Sequence, residues 1–470
     1  MIPERPKLYQ TNFKGSHWRN YQRKVKRAAV INKFIKNIPK YSVAFLTIFI
    51  LVCGIISGIT GIACHHIYIL DGNTSDNKTD IPYSHKKFIT KRDIQAMFDS
   101  KSFINLNEKG FDLVFNEQNF KIDTSLDISL QQFLLNNLDQ STAQYIGIVA
   151  MDPATGRVLS MVSYDKENQY NNPCIDNRFP AASIFKIVTA AAAIEKCNFN
   201  SDSILTYNGA KHTLYKSQLK KRTNRYTNKI TLKDSFAQSI NPVFGKIGLL
   251  YLGKNNLKSY AEAFGFNQNI NFEIPVAPSF ICLSDDPYNW AEIACGFNNE
   301  TTLSPLHGAL ITSAILNQGR LVEPTVVDQI TDETGQVIYC SHPVTLKQAV
   351  TPKSAKAVNN LMGATIKSGT CRKAFRGYRK DQILSKLNIG GKSGSIDNKT
   401  HDVRYDWFVG FAEEKNGHEK LVLSVIVAHE KYIGTRASHY ARMAMKQYFS
   451  NYFAKKGTDR VYAGGQQRDG

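Results

Sequence analysis

An uncharged apolar run near the N-terminus constrains this chain more than any other feature. Residues 43–63 contain no Asp, Glu, Lys or Arg, and about 20 apolar residues suffice to cross a bilayer as a helix. The segment before the run is rich in lysine and arginine and holds a single acid, Glu4. Because basic residues stay on the cytoplasmic side, we expect a cytoplasmic leader over residues 1–42 and one transmembrane helix over residues 43–64. The rest of the chain would then be anchored to the inner (plasma) membrane and lie in the periplasm or outside the cell.

The apolar run fits a cleaved leader less well than it fits an anchor. A cleaved signal peptide has an apolar core of roughly 7 to 15 residues after a short basic stretch, and both segments are longer here. Lipoprotein-type cleavage before Cys64 would place Gly61 at the third position upstream, where glycine is a poor residue. An uncleaved anchor is therefore the prediction.

The net charge of +20 does not by itself indicate a nucleic-acid partner. Much of the basic excess lies before residue 42, and an exported domain would not meet nucleic acid. A second basic stretch, residues 216–229, is more typical of a solvated loop, with contact to anionic wall or lipid groups as the alternative. We expect no nucleic-acid binding.

The spacing of cysteines and histidines does not indicate a metal site. Of eight cysteines, Cys53 and Cys64 belong to the anchor region, and the other six would sit in an export compartment where disulfides persist. Free buried thiols and disulfide bridges both remain open. The sequence has no Cys-x-x-Cys pair, so we expect no metal and no cofactor.

Apolar strand patterns stand at both ends of the region after residue 121. They cover five segments: 145–151, 157–162, the residues entering Lys392, 407–412 and 421–428. Helical patterns lie between them; one begins at Ser183, and another is capped by Ser304 with Pro305 in its first turn. If the ends of the domain come together, these strands form one sheet. We therefore predict an α/β (α+β) fold with a five-stranded antiparallel sheet flanked by helices.

Shifts in composition divide the chain into segments. Residues 65–120 are polar and mixed, which is typical of a linker followed by a small juxtamembrane module. The compact domain is expected over residues 121–456, beginning with a helix capped near Asp127. Residues 457–470 are expected to form a polar tail.

Three short motifs occur in a fixed order along the compact domain. They are Ser183-Ile184-Phe185-Lys186, Ser239-Ile240-Asn241 and Lys392-Ser393-Gly394-Ser395. Each alone is weak evidence, because the same patterns occur elsewhere in the chain. The other copies lie at residues 84–87 and 217–220 for the first motif, 75–77 for the second and 367–370 for the third.

Sequence context selects among these copies. Ser183 opens an apolar helical run, whereas the rival serines at 84 and 217 lie in polar, charged stretches. Lys367 ends a helical pattern, while Lys392 follows Gly390-Gly391 and precedes another strand. We therefore expect Lys392 on an edge strand whose small residues let a substrate backbone approach.

Ser183 and Lys186 have the spacing of a nucleophile and its base. A serine hydroxyl attacks readily only when a neighbouring base takes its proton, and residues three apart on a helix share a face. To act near neutral pH, the pKa of the lysine must fall by roughly 3 units from about 10.4. Burial beside Ile184 and Phe185, together with Lys392 as a nearby cation, would lower it. A serine at a helix N-terminus would also favour developing negative charge.

The ordered motifs resemble those of the penicillin-binding protein transpeptidases, over roughly residues 121–455. Similar segments elsewhere are residues 124–127, 151–159, 302–305 and 407–411. The resemblance implies a monofunctional, class B-like serine D,D-transpeptidase. The region between anchor and domain, about 55 residues, is too short for an additional glycosyltransferase domain.

The resemblance also implies roles for the motif residues. Ser183 would attack the penultimate D-alanine carbonyl of a peptidoglycan stem peptide, with Lys186 as base and Ser239 as proton relay. Lys392 would help to hold the terminal carboxylate, and the backbone N–H groups of Ser183 and Ser395 would form the oxyanion hole. The expected substrate-binding residues are Asn241, Ser393, Gly394 and Ser395.

Other functions are compatible with the same motifs. A serine β-lactamase or D,D-carboxypeptidase forms the same acyl-enzyme and gives it to water. A non-catalytic β-lactam sensor or wall-synthesis scaffold would use the fold for binding alone, although the leader is short for a cytoplasmic output module. The resemblance implies β-lactams as covalent inhibitors and proteins of a wall-synthesis complex as possible partners.

Overall fold

The computed structural model describes residues 90–99 and 101–465. The expected leader and transmembrane helix, residues 1–42 and 43–64, lie outside these ranges. Among the described residues, no helix is both long and apolar enough to cross a bilayer.

Helices and strands occur throughout the described part of the chain. In order they are α1 (Lys91–Ile94), β1 (Gly110–Phe115), β2 (Gln118–Thr124), α2 (Ile128–Asn136), β3 (Ala143–Met151), β4 (Val158–Asp165), α3 (Lys186–Cys197), β5 (Ile204–Tyr207), α4 (Lys216–Leu219), β6 (Asn228–Thr231), α5 (Leu232–Ala237), α6 (Asn241–Lys246), α7 (Gly253–Ala263), α8 (Pro287–Cys295), α9 (Pro305–Leu316), β7 (Arg320–Val322), β8 (Val327–Asp332), β9 (Val337–Cys340), β10 (Thr345–Gln348), α10 (Pro352–Lys367), β11 (Leu387–Asp397), β12 (Arg404–Glu414), β13 (Lys420–His429) and α11 (Ala437–Gly465).

A five-stranded antiparallel sheet with the order β11-β12-β13-β3-β4 forms the centre of the fold. β13 pairs with β3 from Val422 opposite Met151 to His429 opposite Ala143, so the two ends of the domain meet inside the sheet. The predicted sheet is confirmed. β11 lies at the edge, as expected for the strand that carries Lys392.

Alternate side chains of β13 enter two separate cores. Leu421 and Leu423 pack on one face with α2 and α11. Val422 and Ile426 pack on the other face, where α9 is buried along its whole length. A strand that is covered on both faces needs apolar side chains at nearly every position, which is the pattern in the sequence.

The helix caps expected from the sequence are present. The Asp127 carboxylate accepts a hydrogen bond from the Leu130 N–H at 3.0 Å at the start of α2. Ser304 accepts from the His307 N–H at 3.2 Å, with Pro305 as the first residue of α9. Such side chains satisfy N–H groups that have no partner within the helix.

The described part of the expected juxtamembrane module is joined to the domain. β1 and β2 form a second sheet with β8 and β9, and the expected boundary at residue 120 falls inside β2. Thr124 pairs with Val327 across this sheet. Because strand pairing links residues 110–124 to residues 327–340, this segment does not fold as a separate module. At the other end, α11 continues to Gly465, past the expected domain end at residue 456.

Candidate active site

Ser183 lies on a tight turn between the central sheet and α3. The turn, Ala182–Phe185, is a 3-10 helix that continues into α3 at Lys186. Ser183 therefore precedes the α-helix by one turn instead of forming part of it. Ala182 has a φ of 48°, an uncommon conformation for a residue other than glycine that is often found at functional sites.

Two contacts with the central sheet hold this turn in place. The indole N–H of Trp407, on β12, donates to the Pro180 carbonyl at 2.9 Å in a buried position. A methyl group added at Gly394 would lie 3.2 Å from the Cβ of Ala182 and 3.3 Å from the Ser183 nitrogen. β11 therefore runs directly against the backbone of Ser183.

Lys186 is fully buried, and its amine contacts the Ser183 hydroxyl. The Lys186 Nζ lies 2.7 Å from Ser183 Oγ. It also lies 2.8 Å from Asn241 Oδ1 and 2.5 Å from the Cys295 carbonyl. Asn241 donates through Nδ2 to the His212 carbonyl at 3.1 Å, which turns its own oxygen towards Lys186.

These contacts suit a neutral amine that acts as a base. The amide oxygen and the carbonyl oxygen can only accept hydrogen bonds, so a neutral Lys186 donates its two hydrogens to them. Its lone pair is then left for the proton of the Ser183 hydroxyl. Burial lowers the pKa of Lys186 to about 8, against a smaller opposing effect of Cys295. Near neutral pH an appreciable share of the amine is therefore unprotonated.

Ser239 and Lys392 form an adjoining pair. The Lys392 Nζ lies 2.9 Å from Ser239 Oγ and 2.8 Å from the Ser393 carbonyl, and its side chain is fully buried. Burial lowers the pKa of Lys392 well below its usual range, and repulsion from Lys186 lowers it further. A charge on Lys186 therefore disfavours a second charge on Lys392. Ser239 has a φ of 56°, a second non-glycine residue of the site in the left-handed region.

The hydroxyls of the third motif lie on the more open end of β11. Ser393 Oγ lies 2.6 Å from the hydroxyl of Thr370. Ser395 Oγ accepts from Arg404 Nε at 2.9 Å. The structure thus brings Ser183, Lys186 and Asn241 into one hydrogen-bonded group and joins Ser239 to Lys392. The Ser393 and Ser395 side chains have partners of their own beside these groups.

Several residues at the site were not found by sequence reasoning. Thr370 ends the rejected 367–370 copy of the third motif, and its N–H donates to the Ala237 carbonyl at 3.0 Å. The Thr370 hydroxyl thus lies beside Ser393 of the third motif. Arg404 and the carbonyls of Cys295 and His212 carry no motif that could have marked them.

The glycines before Lys392 have a different role from the one expected. A methyl group at Gly390 would overlap the ring of Phe411, and one at Gly391 would overlap the ring of Phe408. These glycines therefore make room for aromatic rings of the neighbouring strand and not for a substrate backbone.

The cysteines within the described ranges are unpaired. The sequence left open whether these residues are free thiols or form disulfide bridges. All six are free thiols: Cys174, Cys197, Cys282, Cys295, Cys340 and Cys371. In the same ranges, no group of three or more His, Cys, Asp or Glu side chains is placed to hold a metal ion.

Comparison with known proteins identifies the family. A family model described as the penicillin binding protein transpeptidase domain matches residues 146–449. Stage V sporulation protein D of Bacillus subtilis (strain 168) is 27% identical over 333 residues, which cover 65% of this chain and 49% of that protein. The peptidoglycan D,D-transpeptidase PbpA of Mycolicibacterium smegmatis is 24% identical over 323 residues, 60% of this chain and 61% of that protein. The chain spans about half the length of the curated relatives it matches.

Solved structures share the fold. The D,D-transpeptidase domain of a peptidoglycan glycosyltransferase from Eggerthella lenta superimposes with a TM-score of 0.59 at 22% identity, covering 70% of this chain and 83% of that one. Penicillin-binding protein A from M. tuberculosis, as an imipenem acyl-enzyme complex, gives a TM-score of 0.56 at 22% identity, with coverages of 69% and 79%. Because the family model spans more than half of the chain, including all three motifs, this protein belongs to the penicillin-binding protein transpeptidase domain family.

Proposed function

We propose that this chain is a serine D,D-transpeptidase that cross-links peptidoglycan stem peptides through an acyl-enzyme at Ser183. One observation carries the proposal: the buried Lys186 amine, whose pKa burial lowers to about 8, contacts the Ser183 hydroxyl at 2.7 Å. A nucleophile with an adjacent deprotonated base is what acyl transfer requires.

In the acylation step, Ser183 Oγ attacks the carbonyl of the penultimate D-alanine and its proton passes to Lys186. The negative charge on the carbonyl oxygen is stabilised by the backbone N–H groups of Ser183 and Ser395. The C–N bond then breaks, and the leaving D-alanine nitrogen takes the proton that Lys186 received, relayed through the Ser239 hydroxyl. An amine of a second stem peptide then attacks the acyl-enzyme carbonyl and gives up a proton through Lys186. The C–O bond to Ser183 breaks as the cross-link forms, and Ser183 Oγ takes that proton.

The remaining motif residues position the substrate. Asn241 would bind the amide backbone of the stem peptide. Lys392 and the hydroxyls of Ser393 and Ser395 would hold the terminal carboxylate, and Gly394 keeps β11 close to the Ser183 backbone. Charge-assisted hydrogen bonds of this kind fix a carboxylate more strongly than neutral ones.

We further propose that β-lactams acylate Ser183. A β-lactam presents a strained amide and a carboxylate to the same groups. The penicillin-binding protein A structures from M. tuberculosis with imipenem and with penicillin G, which share this fold, are acyl-enzyme complexes. For location, we propose a single-pass anchor over residues 43–64 with the catalytic domain outside the inner membrane, supported by the uncharged run and the basic leader.

Covalent labelling with a fluorescent penicillin tests the acyl-enzyme. We expect one stable adduct on the full chain and none on Ser183→Ala. Ser217→Ala is the matched control, because Ser217 and Lys220 have the same Ser-x-x-Lys spacing at α4, and it should label like the wild type. An adduct that persists in Ser183→Ala would refute the site.

The fate of the adduct separates the alternative functions. A transpeptidase passes the acyl group of a thioester stem-peptide analogue to an added D-amino acid. A β-lactamase or carboxypeptidase would release the acyl group to water, and the added D-amino acid would not change the rate of that release. A sensor or scaffold would keep the adduct and turn over no peptide.

A further inference from the structure

A cavity of about 720 Å³ lies between α10 and the first residues of β11. Its lining includes Lys356, Gly363 and Lys367 of α10, Asn388 of β11, and Arg379 and Lys415 from the flanking segments. We call it the basic cavity. None of the motif residues lines it, and its volume is in the usual range for small-molecule sites, roughly 300 to 1,000 Å³.

The basic cavity is separated from Lys392 by a close helix–strand crossing. A methyl group at Gly390 would lie 3.1 Å from the Gly363 nitrogen, so the backbones of α10 and β11 almost touch there. The cavity borders β11 at residues 387–389, before this crossing. Lys392 and the rest of the active site follow after it.

The charges around the basic cavity are unbalanced. Lys356, Lys367, Arg379 and Lys415 all border it. The acid in its lining, Glu413, is already paired with Lys420 at 2.8 Å. Four cations around one space raise the local concentration of anions.

Gly363 gives an independent reason to expect a ligand. Glycine inside a helix destabilises it relative to alanine. A methyl group at Gly363 would nevertheless meet no heavy atom within 4 Å, apart from its own helix backbone. Since the described packing does not require a glycine here, its effect is to keep the floor of the basic cavity open.

We propose that the basic cavity binds a phosphate-bearing anion with two or more negative charges. Phosphate groups accept several hydrogen bonds each, and arginine and lysine are their usual partners. The side-chain amides of Asn359, Asn360 and Asn388 add neutral donors. The ligand is either a small pyrophosphate-bearing compound or a phosphodiester-linked polymer, which share this chemistry. The proposal does not depend on acyl transfer at Ser183.

Calorimetric titration of the full chain in non-ionic detergent with inorganic pyrophosphate tests the site. We expect saturable binding at one site that weakens as salt is raised. Lys356→Gln should weaken binding roughly fivefold, the upper range for one exposed ion pair. Lys353→Gln is the matched control, because Lys353 is an exposed lysine of the same helix that does not line the cavity, and it should bind within about twofold of the wild type.

Gly363→Ala separates binding from folding. This substitution should raise the Tm by roughly 1–3 °C, since alanine favours the helix, and still weaken pyrophosphate binding by filling the floor. Equal losses in Lys353→Gln and Lys356→Gln would mean diffuse surface charge and would overturn the proposal, as would absence of saturable binding. Tighter binding of a glycerol phosphate oligomer than of pyrophosphate would identify the polymer, and the reverse order the small compound. Penicillin labelling of all three variants should match the wild type.

Discussion

Lys186 and Lys392 are both out of contact with solvent, and each has hydrogen-bond partners that restrict what its amine can do. Lys186 faces two pure acceptors and one hydroxyl, whereas Lys392 contacts Ser239 and a carbonyl. Burial weakens the hold of each amine on its proton, and repulsion from Lys186 adds to the effect at Lys392. At the residue scale, the proposed reactivity of Ser183 therefore depends on the desolvation of the neighbouring amines.

The depressed pKa of Lys186 predicts how acylation depends on pH. The base form of Lys186 is populated above its pKa of about 8, so the rate should rise with pH. From pH 6 to pH 8 the unprotonated fraction grows roughly 50-fold, and the second-order rate of penicillin acylation should rise by a similar factor. Stopped-flow fluorescence with a reporter β-lactam measures it, with the unfolding midpoint recorded at each pH as a control. A flat profile over this range would exclude Lys186 as the base.

Helix α8 positions the active site through its C-terminal end. Its last residue, Cys295, gives its carbonyl to Lys186, and the preceding carbonyl of Ala294 accepts from Thr189 at 2.8 Å. Gly296 ends the helix with a φ of 68°. A methyl group at Gly296 would lie 1.7 Å from the Ala182 carbonyl oxygen. At the element scale, the end of one helix thus fixes the turn that carries Ser183, the proposed nucleophile.

Gly296→Ala is expected to damage catalysis as well as stability. The added methyl group must displace Ala182 and Ser183, and we expect penicillin acylation to slow at least 100-fold, about 3 kcal/mol of lost transition-state stabilisation. Gly335→Ala is the matched control, because Gly335 also has a positive φ, 84°, but its methyl group would meet nothing within 4 Å. In Gly335→Ala, alanine in the left-handed conformation should lower the free energy of unfolding by about 1–2 kcal/mol. Its acylation rate should match that of the wild type. Equal acylation rates in the two variants would contradict the proposed role of α8.

The N-terminal part of the described chain is tied into the domain by a buried cation. Lys91 is only 8% exposed, pairs with Glu323 at 2.8 Å and donates to the Pro324 carbonyl. Glu273 lies 3.8 Å from the same amine and is fully buried. At the scale of the whole molecule, α1 and the β1-β2-β8-β9 sheet therefore belong to the same folded unit as the active site.

Lys91→Ala is expected to destabilise the protein without affecting Ser183. Removing the cation leaves buried carboxylates uncompensated, which costs about 3–5 kcal/mol and should lower the unfolding temperature by several degrees, measured by differential scanning calorimetry. Lys101→Ala removes an exposed lysine that lies over the Tyr170 ring at 4.7 Å and should cost about 1 kcal/mol or less. Penicillin labelling below the unfolding temperature should be unchanged in both. If the Tm of Lys91→Ala were as high as that of Lys101→Ala, the Lys91 contacts would not be what stabilises this segment.

The sequence by itself determined the central sheet and the caps at Asp127 and Ser304, and it favoured Ser183 and Lys392 over their rival copies. These features follow from local patterns. The spacing of apolar residues, the residues that form turns and caps, and the polarity of flanking residues all depend on near neighbours in the chain.

Only the tertiary structure decided the surroundings of the reactive groups. It placed the Cys295 carbonyl on Lys186, the Thr370 hydroxyl on Ser393 and Arg404 on Ser395. It also paired β2 with β8, which removed the expected boundary at residue 120. Contacts between residues far apart in sequence depend on how the helices and the sheet pack together, and no local pattern encodes that packing.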